Sequence, residues 1–212
     1  MLTDPAEIKI IQGAKQKNVR DPQRSRAHFE NILSDFFQGV RLNGHYLDLG
    51  PGQYDFGELA RLHGGTSMGV DFDPAVLELG RYKGFETLEL NLKALPQAHF
   101  DQTFDGVWNK FALNAYWTGY NEDAQKEMAN AINKLVVEEG WAWIAPWNGV
   151  PKSSDLNEGQ LSEILEMQKT AFEDLGFQST LLTVGQAKKY GVNGTVGNNI
   201  IFTKNLKPAL LG

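Results

Sequence analysis

Two glycines and one aspartate are the residues of this chain whose types and spacing most clearly suggest chemistry. Gly50 and Gly52 form a short turn directly after a predicted strand at 45–49. A turn without side chains lets the backbone come close to a ligand. Asp71 lies 21 residues after Gly50, at the end of the next predicted strand, where a carboxylate can accept hydrogen bonds from both hydroxyls of a ribose. This spacing predicts a site for an adenosine-containing cofactor.

Three predicted elements must position these residues. A strand over 45–49 leads into the glycine turn, a helix covers about 55–63, and a second strand over about 67–71 ends at the aspartate. The Asp-Pro pair at 73–74 begins a further helix, because aspartate is a good cap and proline fits the first helical position. The first residue of that pair is interpreted as the cap, which leaves Asp71 for the ribose.

Strands and helices continue to alternate along the rest of the chain. Further strands are predicted at about 86–91, 106–109, 141–147, 177–184 and 198–203, and further helices at about 74–82, 122–137 and 158–174. No helix is predicted between the last two strands because the interval is short. This alternation predicts an α/β fold with a doubly wound, mostly parallel seven-stranded sheet, helices on both faces and an antiparallel C-terminal strand pair.

The chain divides into a short N-terminal extension and one larger domain. Residues 1–21 are polar and mixed, whereas residues 22–40 repeat apolar side chains at steps of three and four, which predicts a helix with one buried face. We interpret 1–43 as an N-terminal helical extension that could cover the site as a lid, and 44–212 as a Rossmann-like domain.

Composition disfavours several classes of protein. The 212 residues carry a formal net charge of -6 and no stripe of lysine and arginine, which disfavours nucleic acid as a partner. The absence of cysteine excludes disulfides and thiolate metal sites. No apolar run approaches the length that spans a bilayer, and the N-terminus does not read as a secretory signal. We expect a soluble, cytoplasmic protein without a membrane partner.

The motifs together resemble the class I S-adenosylmethionine-dependent methyltransferases, from about Tyr46 to Lys204. Asp48-Leu49-Gly50-Pro51-Gly52 resembles the first family motif, and Val70-Asp71 resembles the second. The matching later segments are Leu90-Asn91-Leu92 with Leu95-Pro96, Phe104-Asp105-Gly106-Val107 and Glu139-Gly140-Trp141-Ala142-Trp143-Ile144. One residue departs from the pattern, because Tyr54 replaces the third glycine of the first motif. This change is expected to narrow the loop and to alter the amino-acid end of the pocket.

The resemblance implies S-adenosyl-L-methionine as the cofactor and assigns its parts to named residues. Asp48 would hold the ammonium of the methionine portion, directly or through water, beside the turn at Gly50 and Gly52. Asp71 would accept hydrogen bonds from the ribose hydroxyls, and Phe72 would pack beside the adenine. The competing interpretation of Asp48 is a structural carboxylate satisfied by loop amides.

The remaining cofactor contacts that the resemblance implies lie after the third and fourth strands. The side-chain oxygen of Asn91 would accept a hydrogen bond from the adenine amino group, and the backbone amide of Leu92 would donate to a ring nitrogen. Asn109 would lie beside the methionine portion and the sulfonium. Taken singly, asparagines at strand ends are more often turn residues than ligands. Their joint spacing favours the cofactor role.

The segment after the fourth strand is the predicted wall of the acceptor site. Residues 109–120 mix aromatic rings with polar side chains, a composition suited to small organic ligands. The predicted substrate-binding residues are Asn114, Tyr116, Trp117, Tyr120, Trp147 and Asn148. Core packing explains the four aromatic members of this set equally well. It is the better explanation for Trp108, Trp141 and Trp143, which lie within apolar strands.

No catalytic residue or metal ligand is predicted. Methyl transfer from a sulfonium is an in-line displacement from an activated donor, so a general base is needed only when the acceptor must lose a proton. His28 is interpreted as a helix-surface residue without a catalytic duty. Neither the histidines nor the carboxylates have the spacing of metal ligands.

A methyltransferase that acts on a small molecule is the leading hypothesis. A nicotinamide-dependent oxidoreductase would also use glycines and a ribose-binding acid, but it needs a hydride-transfer partner such as a Tyr-Lys pair, for which the sequence gives no convincing candidate. A non-catalytic module that binds S-adenosylmethionine is the third hypothesis. The sequence does not determine the acceptor, the methylated atom or the oligomeric state.

Overall fold

One seven-stranded sheet organises the described part of the chain. The computed structural model describes residues 4–13, 22–113, 118, 121–148, 157–192 and 199–206. The strands are β1 (His45–Leu49), β2 (Thr66–Asp71), β3 (Glu86–Glu89), β4 (Phe104–Lys110), β5 (Val136–Asn148), β6 (Gln178–Leu182) and β7 (Asn199–Lys204). Their order is β3-β2-β1-β4-β5-β7-β6, with β7 antiparallel to both of its neighbours and the other pairs parallel. The predicted sheet and its antiparallel C-terminal pair are confirmed.

Helices cover both faces of this sheet. They are α1 (Pro5–Gln12), α2 (Pro22–Phe36), α3 (Asp55–Leu62), α4 (Pro74–Tyr82), α5 (Glu122–Leu135), α6 (Glu158–Glu173) and α7 (Val184–Lys189), with a 3-10 helix at Leu92–Gln97. Val107 and Trp108, neighbours on β4, point to opposite faces. Val107 packs in one core cluster with Phe172 of α6, and Trp108 in the other with Phe56 of α3. The doubly wound arrangement is therefore confirmed.

Three short helices lie where the sequence predicts none: α1, the 3-10 helix and α7. The prediction that no helix fits between the last two strands is wrong, because α7 occupies that interval. Thr183 caps it by accepting a hydrogen bond from the Gln186 amide at 3.2 Å, and the Gln186 side chain accepts one from the Thr183 amide at 2.9 Å. Such a capping box satisfies two amides at the helix end and so stabilises a helix of only six residues, which fits the short interval.

The boundary between α5 and β5 also differs from the prediction. The residue pattern predicts a helix to residue 137 and a strand from 141, whereas α5 ends at Leu135 and β5 begins at Val136. The two consecutive valines at 136–137 favour strand because their branched side chains fit a pleated surface. Val136 pairs with Phe104 on β4. The longer strand thus reaches the beginning of its neighbour.

An aromatic stack fills the sheet face under α2 and α3. The Trp108 ring stacks on Phe56, at 4.8 Å between centroids and 5° between planes, and on Trp143, at 4.3 Å and 12°. Phe29 of α2 stacks on it as well, at 5.4 Å. Trp108, Trp141 and Trp143 are at most 5% exposed, which confirms their predicted place in the core. The stack holds β4 firmly against two helices.

The carboxyl ends of β1, β2 and β4 lie side by side at one edge of the sheet. Leu49 at the end of β1 pairs with Val70 on β2 and with Asn109 on β4. The sheet order reverses at β1, because β2 lies on one side of it and β4 on the other. Open parallel sheets bind ligands in the crevice at such a switch point. Among the described helices, none is long and apolar enough to cross a membrane.

Candidate functional site

The turn between β1 and α3 carries two glycines with left-handed backbone. The φ angles are +71° at Gly50 and +55° at Gly52, a region that other residues rarely adopt. A Cβ atom on Gly50 would overlap the Cβ atom of Ala112, which follows β4. A Cβ atom on Gly52 would meet no atom of the described residues within 4 Å. The space beside Gly52 is therefore open to a ligand. The close approach at Gly50 is made by the chain's own segment after β4.

Asp48 and Asp71 project from the same face of the sheet. Asp48 pairs with Gly69 on β2, and Asp71 lies two residues after Gly69, so the three positions share one face. Asp48 is buried, at 2% exposure, and Asp71 is half-buried at the end of β2. Ionised carboxylates are acceptors only, so this pair selects donor groups such as ammonium and hydroxyl. The structure thus brings together the two acids that the sequence predicts for the cofactor.

The backbone that follows Asp71 holds its carboxylate in place. Its Oδ1 accepts a hydrogen bond from the Asp73 amide at 2.9 Å, and Asp73 caps α4 by accepting one from the Ala75 amide at 3.0 Å. The interpretation of Asp73 as the helix cap is confirmed. Burial raises the pKa of Asp71, against an opposing effect of hydrogen bonds from the Asp73 and Phe72 amides. These bonds fix the carboxylate at the strand end, where the ribose is predicted.

Asn91 and Leu92 follow β3 and lie next to the end of β2. The Leu90 amide, just after β3, donates a hydrogen bond of 3.0 Å to the carbonyl oxygen of Asp71, which joins the ends of the two strands. Asn91 caps the 3-10 helix, because its Oδ1 accepts from the Lys93 amide at 3.1 Å. Leu92 is buried in the core, and Phe72 is 44% exposed. The turn role of Asn91 is therefore observed, and the adenine contacts of Asn91, Leu92 and Phe72 stay predictions.

Asn109 is fully buried at the carboxyl end of β4. Its Nδ2 donates to the Leu113 carbonyl at 3.0 Å, and its Oδ1 accepts from the Leu113 amide at 2.8 Å. The two bonds close a turn in which Phe111 has a φ of 72° and Ala112 covers Gly50. Asn109 thus shapes the protein segment beside the glycine turn. Its contact with the methionine portion stays a prediction.

Solved structures match this chain over most of its length, whereas no protein-family model and no curated protein does. The DhpI-SAM-HEP complex has a TM-score of 0.55 at 11% identity, covering 96% of this chain and 94% of its own. A putative sarcosine dimethylglycine methyltransferase from Galdieria sulphuraria has 0.54 at 14%, covering 80% and 68%. A SAM-dependent methyltransferase from Thiobacillus denitrificans, in complex with S-adenosyl-L-homocysteine, has 0.51 at 15%, covering 88% and 78%.

The chain has the class I methyltransferase fold. Its sheet order, its antiparallel last strands and its helices on both faces agree with these matches. The fold that the sequence motifs imply is therefore confirmed. The division at residue 43 and the lid role of the N-terminal extension stay predictions.

Within this fold, the burial of Tyr54 in the glycine turn is a feature that the sequence did not predict. Tyr54 has a φ of 62° and is 0% exposed, and its ring stacks on Phe85 at 5.0 Å and 10°. The ring fills a slot against Gly69 and Gly80. A Cβ atom on Gly69 would lie 2.5 Å from Tyr54 Cε1, and one on Gly80 would overlap the hydroxyl oxygen. The side chain therefore points into the interior, and the expected narrowing of the loop stays a prediction.

Two of the six predicted substrate-binding residues, Trp147 and Asn148, belong to the part of the chain that the structure describes. Asn114, Tyr116, Trp117 and Tyr120 lie outside the described residues. Trp147 is fully buried, and its indole Nε1 donates to Gln125 Oε1 at 3.0 Å. Trp147 therefore packs in the core, as the second interpretation holds. An acceptor contact by this residue stays a prediction. Asn148 ends β5, paired with Asn199 on β7.

The histidines of the described residues have structural neighbours. The His28 ring packs against Gly191, where a Cβ atom would overlap it. His45 contacts Thr66 Oγ1 at 2.7 Å, and His99 lies 3.3 Å from Asp101 on the surface. In the described ranges, no group of three or more histidine, aspartate or glutamate side chains is placed to hold a metal ion.

A cavity of about 930 Å³ lies at the opposite end of the strands, beside the amino end of β4. The residues that line it include the loop at 97–103, which precedes β4, and Lys134 and Leu135 at the end of α5. The length of β4 separates this cavity from the carboxyl ends of the strands. It is therefore distinct from the predicted cofactor site.

Proposed function

We propose that this chain is an S-adenosyl-L-methionine-dependent methyltransferase that acts on a small-molecule acceptor. The observation that carries the proposal is the pair of carboxylates, Asp48 and Asp71, on one sheet face beside the turn whose open side is at Gly52. An ammonium group and a ribose diol complement these two acids, and S-adenosylmethionine carries both. Two structural neighbours support the proposal, since one is a complex with S-adenosyl-L-homocysteine and another a complex with SAM.

The residues of the chain would bind and orient the reactants. When bound, the cofactor supplies an activated methyl group on its sulfonium. Asp48 would hold the ammonium end and Asp71 the ribose, while the turn closed by Asn109 would form the wall near the sulfonium. Alignment of donor and acceptor alone can supply roughly 7 to 11 kcal/mol of the barrier. A site in which backbone hydrogen bonds hold the Asp71 carboxylate at its strand end suits a reaction that depends mainly on alignment.

The acceptor class is proposed from the sequence after β4. Its mixture of aromatic and polar residues at 109–120 suits a small organic molecule, and the chain lacks a basic stripe for nucleic acid. One structural neighbour is a putative sarcosine dimethylglycine methyltransferase, and another is a ribosomal protein L11 methylase from Lactobacillus delbrueckii subsp. bulgaricus. The fold therefore occurs with small and large acceptors, and the experiment must distinguish them. The cytoplasmic location also stays a prediction.

Calorimetric titration tests the cofactor. We expect S-adenosylmethionine and S-adenosylhomocysteine to bind at one site per chain, and NAD not to bind. Binding of NAD alone would favour an oxidoreductase instead. Binding of none of the three would refute the proposal.

Transfer of a radiolabelled methyl group tests the activity. The protein is incubated with labelled cofactor and, in parallel, with pooled small metabolites, with a protein extract and with RNA. We expect label in the small-molecule fraction. Label in protein or RNA would correct the acceptor class, and tight cofactor binding without transfer to any pool would indicate a non-catalytic module.

A further inference from the structure

The hydroxyl group of Tyr54 lies against the sheet face that carries both acids of the cofactor site. A Cβ atom on Gly69 would lie 2.7 Å from this hydroxyl oxygen. Asp48 is directly opposite Gly69 on the neighbouring strand, where positions are about 4.8 Å apart, whereas Asp71 is two residues further along β2, or roughly 6.6 Å. Asp48 is therefore the nearer carboxylate.

This hydroxyl group is buried without a hydrogen-bond partner among the described residues. Burial raises the pKa of Tyr54, and the charges of Asp48 and Asp71 raise it further, so the phenol keeps its proton and is a donor. A buried donor that makes no hydrogen bond is destabilising. Phenylalanine would fill the same slot without that penalty. We therefore expect the hydroxyl group to make its hydrogen bond in another state of the protein, such as a ligand complex.

We propose that Tyr54 is a positioning residue for the cofactor: in the complex, its hydroxyl donates a hydrogen bond to Asp48 and orients that carboxylate toward the cofactor ammonium. The inference rests on the proposed function. The Tyr54 ring is fixed by its slot against Gly69 and Gly80 and by its stack on Phe85. The Asp48 side chain is therefore the part that would rotate to complete the bond.

The variant Tyr54→Phe tests this proposal with two ligands. S-adenosylhomocysteine carries the ammonium, whereas 5′-methylthioadenosine has the same nucleoside without the amino-acid part. We expect about tenfold weaker binding of S-adenosylhomocysteine and a change of less than about twofold for methylthioadenosine. The melting temperature of the free protein should stay equal or rise. Tyr82→Phe is the matched control, because the Tyr82 hydroxyl donates to Asp4 at 2.8 Å, on the surface.

A double-mutant cycle with Asp48→Asn tests the route of the effect. If the hydroxyl acts through Asp48, removing it in the Asp48→Asn background should change the affinity for S-adenosylhomocysteine little further. Equal losses for both ligands, additive losses in the cycle or unchanged binding by Tyr54→Phe would each overturn the proposal. Absence of binding by the unmodified protein would overturn the proposed function, and this inference with it.

Discussion

At the scale of single residues, Asp71 carries the most specific part of the cofactor prediction. We expect Asp71→Ala to weaken the binding of S-adenosylhomocysteine by about 10- to 100-fold, because two hydrogen bonds to a charged acceptor are lost. The fold should persist, since the carboxylate is only half-buried at a strand end. Titration calorimetry and circular dichroism measure the two effects. Asp101→Ala is the control because that side chain is 97% exposed; equal affinity of Asp71→Ala and unmodified protein would contradict the ribose role.

Sequence spacing correctly placed two candidate site residues beside each other because each lies near the end of its own strand. Asp48 and Asp71 end neighbouring parallel strands, so the count of residues between them was enough to place them together. Ala112 and Tyr54 were not predictable in this way. Ala112 covers Gly50, and Tyr54 fills the space left by Gly80, through contacts between segments 26 to 62 residues apart. Such contacts depend on the packed fold and leave no local pattern.

Asp35 links two helices that belong to opposite ends of the chain. It lies on α2, accepts a hydrogen bond from the Tyr190 hydroxyl at 2.6 Å and pairs with Lys189 at the end of α7. Burial by itself would raise the pKa of Asp35, but the bonds from Lys189 and Tyr190 outweigh it and lower the pKa. A lowered folded-state pKa stabilises the fold above the ordinary aspartate value of about 3.9, and this contribution is lost as the pH falls through the folded-state pKa.

We therefore expect Asp35→Asn to lower the free energy of unfolding at pH 7 by about 1 to 2 kcal/mol. The ion pair with Lys189 contributes less to this value than a buried pair would, because Lys189 is partly exposed and solvent screens the charges. The difference from unmodified protein should shrink as the pH falls below about 4. Urea unfolding at a series of pH values measures it. Glu30→Gln removes the exposed pair with Arg26 and should change stability by less than about 0.5 kcal/mol. A pH-independent difference would contradict the ionic role.

At the scale of elements, the close packing of α4 on the glycine turn between β1 and α3 depends on Gly80. An added methyl group there would overlap the Tyr54 hydroxyl and lie 2.6 Å from Thr87 Cγ2. We expect Gly80→Ala to destabilise the protein by about 1 to 3 kcal/mol despite the better helix propensity of alanine. Gly185→Ala in α7 is the matched control. Among the described residues, its Cβ atom would meet only Thr183 Oγ1, at 3.9 Å. Thermal unfolding should therefore show an unchanged or higher melting temperature for this variant alone.

Element prediction succeeded where a repeating pattern is long and failed where a few end contacts decide. The strands of the sheet and the helices α2 to α6 follow from apolar periodicity and from caps such as Asp73. α7 has six residues, too few for a clear period. α1 has eight, as α3 does, but it lies in a segment of mixed composition that shows no apolar period. Their side-chain caps and tertiary packing stabilise them, because isolated helices of this length are marginal in water.

At the scale of the whole molecule, α1 and the glycine turn between β1 and α3 are joined through one buried lysine. Lys83, after α4, donates to the carbonyl oxygen of Gln53 in the turn at 3.2 Å, pairs with Glu58 of α3 and lies 3.6 Å from Glu7 of α1. Ile11 of α1 packs in the same small core cluster as Tyr54. The beginning of the chain thus stabilises the turn from its inner side. A lid function of the extension is a separate prediction.

Cofactor binding should stabilise the whole molecule. With S-adenosylhomocysteine at about 100 times its dissociation constant, a ligand that binds only the folded state adds about 2.7 kcal/mol. For a chain of this size we expect a rise in melting temperature of about 5 to 11 °C. Differential scanning fluorimetry measures it, with NAD at the same concentration as the control. A similar rise with NAD, or no rise with either, would contradict the proposed cofactor specificity.

The sequence by itself determined the strands, the longer helices and the end of the sheet at which Asp48 and Asp71 come together, because these depend on periodicity and on spacing along one chain. Only the tertiary structure decided that Ala112 covers Gly50, that α7 separates the last two strands, and that Tyr54 lies beneath the site with a buried hydroxyl. These features arise from close contacts between distant segments. Their free energy comes from packing and burial, which no local pattern of residues records.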